Sequence, residues 1–282
     1  MTIRNRVSCA DVRRTLAAAA ACAALFLAAD EVKAAPLASA DFSTYTDGNL
    51  VGQNGWEQYQ TQTTLPLQVA GGQVSWPGGA TVNNQDAFLP FPEQVIQPVS
   101  GTTVLNWDMI VNVTAPSASN PSYFAALNTL TTSTTSGNFQ NARLAAQASG
   151  AGYVFGARVN GQSGYPFAFG TDVLNIDEDY ALRAEIHMVA GNANDFINLY
   201  VGPDFNNLTF YATAGYTTGT VNDPLFGAIL LSQFGTGSVI EAGVSISSTS
   251  ISVVPEPTTI GLAGIGIAAA GLGLRRRLRK GA

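Results

Sequence analysis

Apolar residues recur at every second position through much of the chain, and this period narrows the available folds more than any other feature. Leu105, Trp107, Met109, Val111 and Val113 stand in phase, with Asn106, Asp108 and Asn112 out of phase between them. Tyr153, Phe155, Ala157 and Val159 repeat the pattern, as do Tyr180, Leu182, Ala184, Ile186 and Met188, and then Ile197, Leu199 and Val201. Successive side chains of a strand point to opposite faces, so each run presents one apolar and one polar face. Gly71-Gly72 separates Leu67 and Val69 from Val74 and Trp76 as a tight hairpin, Gly191-Asn192-Ala193-Asn194 closes another, and residues 225–234 and 239–253 are predicted to add further strands. No segment between the chain's two ends has a helical period. Many short strands joined by turns predict an all-β fold, a single antiparallel β-sandwich over residues 35–253, with no linker long enough to divide it.

Charge is scarce and unevenly placed. Of the 13 Lys and Arg residues in this 282-residue chain, five lie in the first 33 positions and five in the last eight. Only Arg143, Arg158 and Arg183 remain between them, against fifteen acids from Ala35 to Val254, a formal charge of −12 for that portion. Such a body has no basic face for phosphates, so nucleic acid is excluded as a partner. The 46% hydrophobic content of the full chain is enough to bury a core and argues against disorder. Both cysteines, Cys9 and Cys22, fall in the first 34 residues. The body therefore has no thiol nucleophile, cysteine metal site or disulfide.

The basic ends have the layout of membrane addresses. Arg4, Arg6, Arg13 and Arg14 precede the uncharged run Leu16 to Ala29, which is too short to span a bilayer and reads as a secretory signal peptide. Val32-Lys33-Ala34 supplies a cleavage signal that defines residues 1–34 as the leader, and Ala38-Ser39-Ala40 is a second candidate. Arg13-Arg14 also makes a twin-arginine pair, but nothing here calls for export in the folded state; Cys22 lacks the lipobox Leu, which Ala19 replaces. Residues 254–282 form a separate terminal segment. Residues 258–274 carry no charge and predict one C-terminal transmembrane helix of roughly 25 Å. Arg275, Arg276, Arg277, Arg279 and Lys280 follow in the tail 275–282 as a stop-transfer signal on the cytoplasmic side. The resulting topology holds the body outside the inner membrane and the tail inside.

Pro255-Glu256-Pro257, the short apolar helix and the terminal Arg cluster together resemble the PEP-CTERM sorting signal of exopolysaccharide-producing Gram-negative bacteria. The resemblance implies that the chain is a substrate of exosortase, a membrane-embedded processing enzyme. It also implies transient anchoring in the inner membrane, then residence at the cell surface or outside the cell, in contact with a polysaccharide matrix. The two prolines keep helix from propagating past Glu256 and leave that segment extended; a plain tail anchor with PEP as linker is the alternative. A second resemblance covers the body. Asp41-Phe42-Ser43, Gly52-Gln53-Asn54-Gly55-Trp56, and the Tyr180 to His187 strand followed by Asn198-Leu199-Tyr200-Val201 look like a concanavalin A-like jelly roll of the laminin G class. Strand order stays open between this class and an immunoglobulin-like one.

Jelly rolls of this kind include glucanases with Glu-x-Asp-x-x-Glu on one strand, which sets an acid and a nucleophile on one face. The nearest segment, Asn175-Ile176-Asp177-Glu178-Asp179, lacks that spacing and reads as a polar turn. His187, the one histidine, shares a strand face with Arg183 and Glu185, and without a second His or a Cys it makes no zinc site. Gly161-Gln162-Ser163-Gly164 lacks the nucleophile-elbow spacing. No catalytic residue is assigned and no enzyme is expected; a secreted glycoside hydrolase is the alternative. No cofactor is expected beyond a structural Ca²⁺, for which Asp177, Asp179 and Asp195 are candidate ligands, with Glu178, Asn194, Asp204 and Asp223 in nearby turns. Turns also recruit these residues for backbone reasons alone. Trp56, Trp76 and Tyr165 are the candidate sugar-stacking residues, with Tyr59, Tyr123, Phe167 and Tyr216 also near turns, although any of these rings could instead fill the core. The expected role is non-catalytic: carbohydrate binding, or adhesion and structure, within an exopolysaccharide matrix.

Overall fold

The structure, a computed structural model, describes residues 35–58, 67–76, 86–96, 98–116, 121–129, 140–159, 167–191, 194–215, 226–234 and 243–254. The predicted leader, the sorting tripeptide, the transmembrane helix, the basic tail and Tyr165 lie outside the described residues. Among the described residues the only helical element is a 3-10 turn, Phe42–Thr44, and no helix is long and apolar enough to cross a membrane. Ala35–Val254 forms one compact unit.

Two antiparallel sheets face each other. The larger, nine-stranded sheet contains β1 (Pro36–Asp41), β2 (Gly48–Asn49), β4 (Gln68–Ala70), β5 (Gln73–Ser75), β7 (Thr102–Val113), β12 (Asp179–Val189), β13 (Phe196–Gly202), β14 (Thr209–Gly215) and β16 (Val244–Val254). The smaller, seven-stranded sheet contains β3 (Glu57–Gln58), β6 (Ala87–Val95), β8 (Ser122–Asn128), β9 (Gln140–Ser149), β10 (Gly152–Val159), β11 (Ala168–Phe169) and β15 (Phe226–Phe234). The larger runs β14-β13-β12-β7-β16-β5-β4-β2, with β1 also on β16, and the smaller runs β11-β10-β9-β8-β15-β6-β3. Consecutive strands lie side by side in β12–β13–β14, β8–β9–β10–β11 and β4–β5, and crossovers between the sheets set β7 beside β12 and β16, and β15 beside β8 and β6.

Alternation explains which face turns inward. Leu105, Trp107, Met109, Val111 and Val113 of β7 are buried, as are Leu182, Ala184, Ile186 and Met188 of β12 beside them. Burying each large apolar side chain contributes about 1.5–3 kcal/mol. Facing them from the smaller sheet are Leu144, Phe155, Ile229 and Leu231. The indole of Trp107 donates to Thr249 Oγ1 at 3.0 Å inside this core, tying β7 to β16. Near the start of the body, Asp41 caps the 3-10 turn by accepting from Ser43 N at 3.1 Å, and Phe42 enters the core against Tyr45 and Trp56. In the β4–β5 hairpin Gly72 has φ +80°, and a Cβ there would lie 3.2 Å from Ser43 Cα. The left-handed φ and that tight approach together favour glycine there.

Candidate ligand-binding face

The outward face of the smaller sheet combines cationic groups, rings and a floor of small residues. Along β9, Ala142, Leu144 and Ala146 enter the core, and along β10, Phe155, Ala157 and Val159 do so. The residues between them, Arg143 and Ala145 on β9 and Gly156 and Arg158 on β10, therefore face outward. Register pairs Arg143 directly with Arg158 and Ala145 with Gly156, then extends the second row to Tyr123 on β8 and Phe169 on β11. A Cβ on Gly156 would lie 2.5 Å from Phe169 Cδ1, so the ring rests over that glycine. Arg143 Cζ stands 4.8 Å from the Tyr123 ring centroid, Arg158 Cζ stands 5.5 Å from that of Phe167, and Phe167 is 5.9 Å from Phe169.

Like charges directly opposite on a sheet repel. Cation–π contacts of about 0.5–2 kcal/mol each offset part of that cost. Burial, and secondarily the neighbouring Arg143, lower the pKa of Arg158. Further across the same face, Phe88, Ala126, Ala228 and Leu230 form a separate, fully buried apolar cluster. Glu57 pairs in register with Phe88. Asp86, two residues before Phe88, is half-buried and accepts a hydrogen bond from the Ser232 hydroxyl, and burial pushes its carboxyl up to about 7. Arg143 and Tyr123 are buried on this face, whereas Arg158, Phe167, Phe169 and the partly protonated Asp86 are half-exposed. Oriented polar groups beside apolar surface are what recognition of a hydroxylated ligand requires.

The residues singled out from sequence occupy other places. Trp56 and Trp76, 1% and 3% exposed, lie in the core between the sheets. Trp56 packs on Phe42 and its Nε1 donates to Tyr45 OH at 3.3 Å. An enclosed indole has no face to offer a sugar, which corrects the expectation for both tryptophans. Asp177 lies in an exposed turn at φ +64°, and Asp179 opens β12 and accepts from Asn112 Nδ2 at 3.0 Å. Asp195 lies beyond the other end of β12, where it is 2% exposed and accepts from Val189 N at 2.7 Å. β12 has 11 residues, which puts about 34 Å between its ends. These three carboxylates therefore cannot share one ion. Among the described residues no group of three or more His, Cys, Asp or Glu side chains is placed to hold a metal. The turn carboxylates serve their own backbones and neighbours. Glu178 accepts from Tyr180 OH at 2.8 Å and Asn175 Nδ2 at 3.1 Å, and Asp204 from Asn206 N at 2.8 Å and Asn207 Nδ2 at 2.9 Å. These bonds hold both carboxyls below their ordinary range.

His187 lies with Arg183 and Glu185 on the outward face of the larger sheet, as the alternation predicts. Its ring stacks on Phe196 at 4.2 Å and 9°, and Nε2 is 3.6 Å from Glu185 Oε2. Arg183 grips Asp108, its register partner, through Nε at 2.7 Å and a terminal nitrogen at 2.8 Å. This cation is committed within its own face. Arg143, Arg158 and Asp86 carry no site motif in the sequence. The charge count isolates the two arginines, but only strand register brings them together.

Residues 253–277 match the PEP-CTERM protein-sorting motif, which marks a protein for export. A comparison with curated proteins gives no match. Among solved structures, the body is similar to the CBM2 module of the evolved Dit of Lactobacillus casei BL23 phage J-1, with 14% identity, 79% of this chain and 98% of that chain covered, and a TM-score of 0.49. It is also similar to the Bacteroides ovatus xyloglucan-locus protein GH43B, with 10% identity, 77% and 39% covered, and a TM-score of 0.49. A third similar structure is the Caenorhabditis elegans galectin LEC-6, with 14% identity, 58% and 95% covered, and a TM-score of 0.31.

Proposed function

We propose that this chain is an exported surface or matrix protein whose concanavalin A-like jelly-roll body binds carbohydrate without turning it over. In this reading the leader delivers the body outside the inner membrane, the C-terminal helix holds it there, and exosortase acts at Pro255-Glu256-Pro257. The observation that carries the binding role is the half-exposed pair of a ring and a guanidinium at the edge of the smaller sheet, Phe167 with Arg158, beside the half-exposed Phe169. The test is a glycan array probed with purified residues 35–254. Selective binding that falls at least tenfold in Phe167→Ala is the expected result. Absence of binding to every glycan refutes the reading and leaves an adhesive or structural body. For sorting, replacing Pro255, Glu256 and Pro257 by Ala should leave full-length protein in the membrane fraction, and unchanged processing refutes that part.

One observation favours a second reading as a glycan hydrolase. Asp86, its pKa raised to about 7 by burial, lies on the same face as Glu57, whose register partner Phe88 is two residues further along β6. A carboxyl protonated near neutrality is what a general acid in glycoside cleavage requires, and a second carboxyl on the same face is the other group that such cleavage uses. Release of reducing ends from a β-glucan, abolished by Asp86→Asn, would establish it; no release across a panel of glucans and xylans removes it.

A further inference from the structure

We propose that the β6–β7 loop is a lipid-contacting tip that rests on the bilayer surface while the chain is anchored, with Ile96 and Val99 as the side chains that enter the interface. The inference rests on the reading of residues 258–274 as a membrane anchor and adds a contact to it. Among the described residues four large apolar side chains are exposed, Ile96 at 68%, Val99 fully, and Val173 and Phe210. Val173 and Phe210 stand apart from each other and from this loop, as single apolar residues ordinarily do on a protein surface. Ile96 and Val99 share one short loop, with the half-exposed Pro98 beside Val99. The base of that loop is tied to the sheet. Gly101 turns into β7 at φ +77°, and its carbonyl accepts from Ala190 N at 2.9 Å.

Strand direction places this loop at the end of the body from which the anchor departs. β16 runs antiparallel to β7, with Val253 opposite Leu105 and Val254 opposite Val104. A chain that continues past Val254 therefore heads toward Thr102 and Gly101, the way that β7 came. Gly101 lies three residues beyond Val104, about 10 Å in that direction. Only Pro255, Glu256 and Pro257 separate Val254 from the apolar run, which so begins within about 14 Å of the strand's end. A tether that short brings this end of the body to the bilayer surface. Charge agrees with the placement. No charged residue occurs between Glu93 and Asp108, although the body as a whole carries −12. A carboxylate pressed against lipid loses its hydration at a large cost, which a neutral loop avoids. Two aliphatic side chains hold a free protein on lipid only weakly. On a chain already anchored a few residues away the contact is intramolecular and needs little affinity to form. It keeps the body from pivoting about Val254.

The experiment reconstitutes residues 35–282, which contain no cysteine, into phosphatidylcholine vesicles, with a fluorophore attached through Ser100→Cys or Asn206→Cys. Both positions are exposed. Asn206 follows Gly202, which falls in register with Ala181 and Ile110, so its turn lies at the opposite end of the larger sheet. Flotation shows whether the chain stays with the vesicles, and brominated phosphatidylcholine then serves as the quencher. Quenching at least threefold stronger at Ser100 than at Asn206 is the expected result. Ile96→Ser together with Val99→Ser should remove the difference; both side chains are exposed, so the fold tolerates the change, which near-UV circular dichroism verifies. A chain that floats while the two probes are quenched equally overturns the tip and spares the anchor. Quenching at Ser100 that survives the double substitution overturns the assignment to Ile96 and Val99. A chain that does not float overturns the anchoring reading and this inference together. Slower processing of the double variant in cells, with no quenching at Ser100 in vesicles, would mean that the loop meets the sorting enzyme, and overturns the bilayer as its occupant.

Discussion

Two tyrosines test the packing by removing the same atom from opposite situations. Tyr153 is fully buried, and its hydroxyl has no hydrogen-bond partner among the described residues. Its ring lies edge-on to Phe155 at 5.1 Å and near Tyr180 at 6.3 Å, and burial raises its pKa. Tyr211 is 9% exposed and its hydroxyl donates to the Asp172 carbonyl at 2.5 Å. Tyr153→Phe removes a phenol that loses its water on folding and gains nothing in return, and should stabilise the body by about 1–2 kcal/mol. Tyr211→Phe removes a made bond and should destabilise it by about 0.5–1.5 kcal/mol, because the exposed Asp172 carbonyl can turn to water. For a domain of this size roughly 2–4 °C of Tm corresponds to 1 kcal/mol. One variant should therefore melt about 2–8 °C higher than the parent and the other about 1–6 °C lower. Urea unfolding of residues 35–254 followed by tryptophan fluorescence is a suitable assay, because Trp56, Trp76 and Trp107 are all buried. A Tyr153→Phe variant destabilised by 1 kcal/mol or more would refute the reasoning, since it would mean that the hydroxyl is bonded.

Asp86 should make stability depend on pH in a defined direction. Its folded pKa is raised from 3.8 to about 7, so between those values the folded state holds a proton that the unfolded state has lost, and stability falls as pH rises through the window. The Asp86→Asn variant should match the parent near pH 4 and exceed it by up to about 4 kcal/mol above pH 7, read from urea midpoints; a difference that does not change with pH counts against the burial argument. Thr249→Val keeps the volume but strands the Trp107 indole N–H, which lies 3.0 Å from the lost oxygen, and should cost about 1–3 kcal/mol in the same assay. No loss there would deny the contact between β7 and β16. Gly156→Ala should displace the Phe169 ring, which a Cβ would meet at 2.5 Å. β11 has only two residues, so the expected effect is loss of glycan binding with less than about 1 kcal/mol of destabilisation, and unchanged binding would remove Phe169 from the site.

Period two revealed the strands whose inward residues form an unbroken apolar set, and not the others. β7 and β12 alternate cleanly because one face meets the opposite sheet and the other meets water. β10 is buried at nearly every position, yet Tyr153, Phe155, Ala157 and Val159 on its inward side still keep the period, with the small or apolar Val154 and Gly156 between them. β6 contains Pro90 and Pro92, which mask its strand character, yet it lies between β15 and β3, with a register shift opposite the prolines. Neither β6, β8, β9 nor β14 announces itself in the sequence as the alternating runs do. The site was less legible still. Trp56 stands in the turn-like Gly52-Gln53-Asn54-Gly55 context, but Gly52 N bonds to the Trp56 carbonyl at 2.8 Å and closes the loop so that the indole turns inward. Arg143 and Arg158 are 15 residues apart with no motif between them, and only the β9–β10 hairpin register makes them neighbours.

Fold and address overlap at the end of the chain. β16 lies against β7 along its whole length and also pairs with β1 and β5, and its last residues, Val253 and Val254, pair with Leu105 and Val104. The sorting match begins at residue 253, so its first two positions belong to a ladder inside the sheet. Any enzyme that recognises Pro255-Glu256-Pro257 thus works directly beside a folded strand and has no linker on the body side. β1 runs antiparallel to β16 with Pro36 opposite Ser252, which brings the start of the body to the same end of the sheet. The first and last strands of the body can pair only after residues through 254 are on the same side of the membrane as residue 36. Completion of the larger sheet therefore waits for the last residues before the sorting tripeptide.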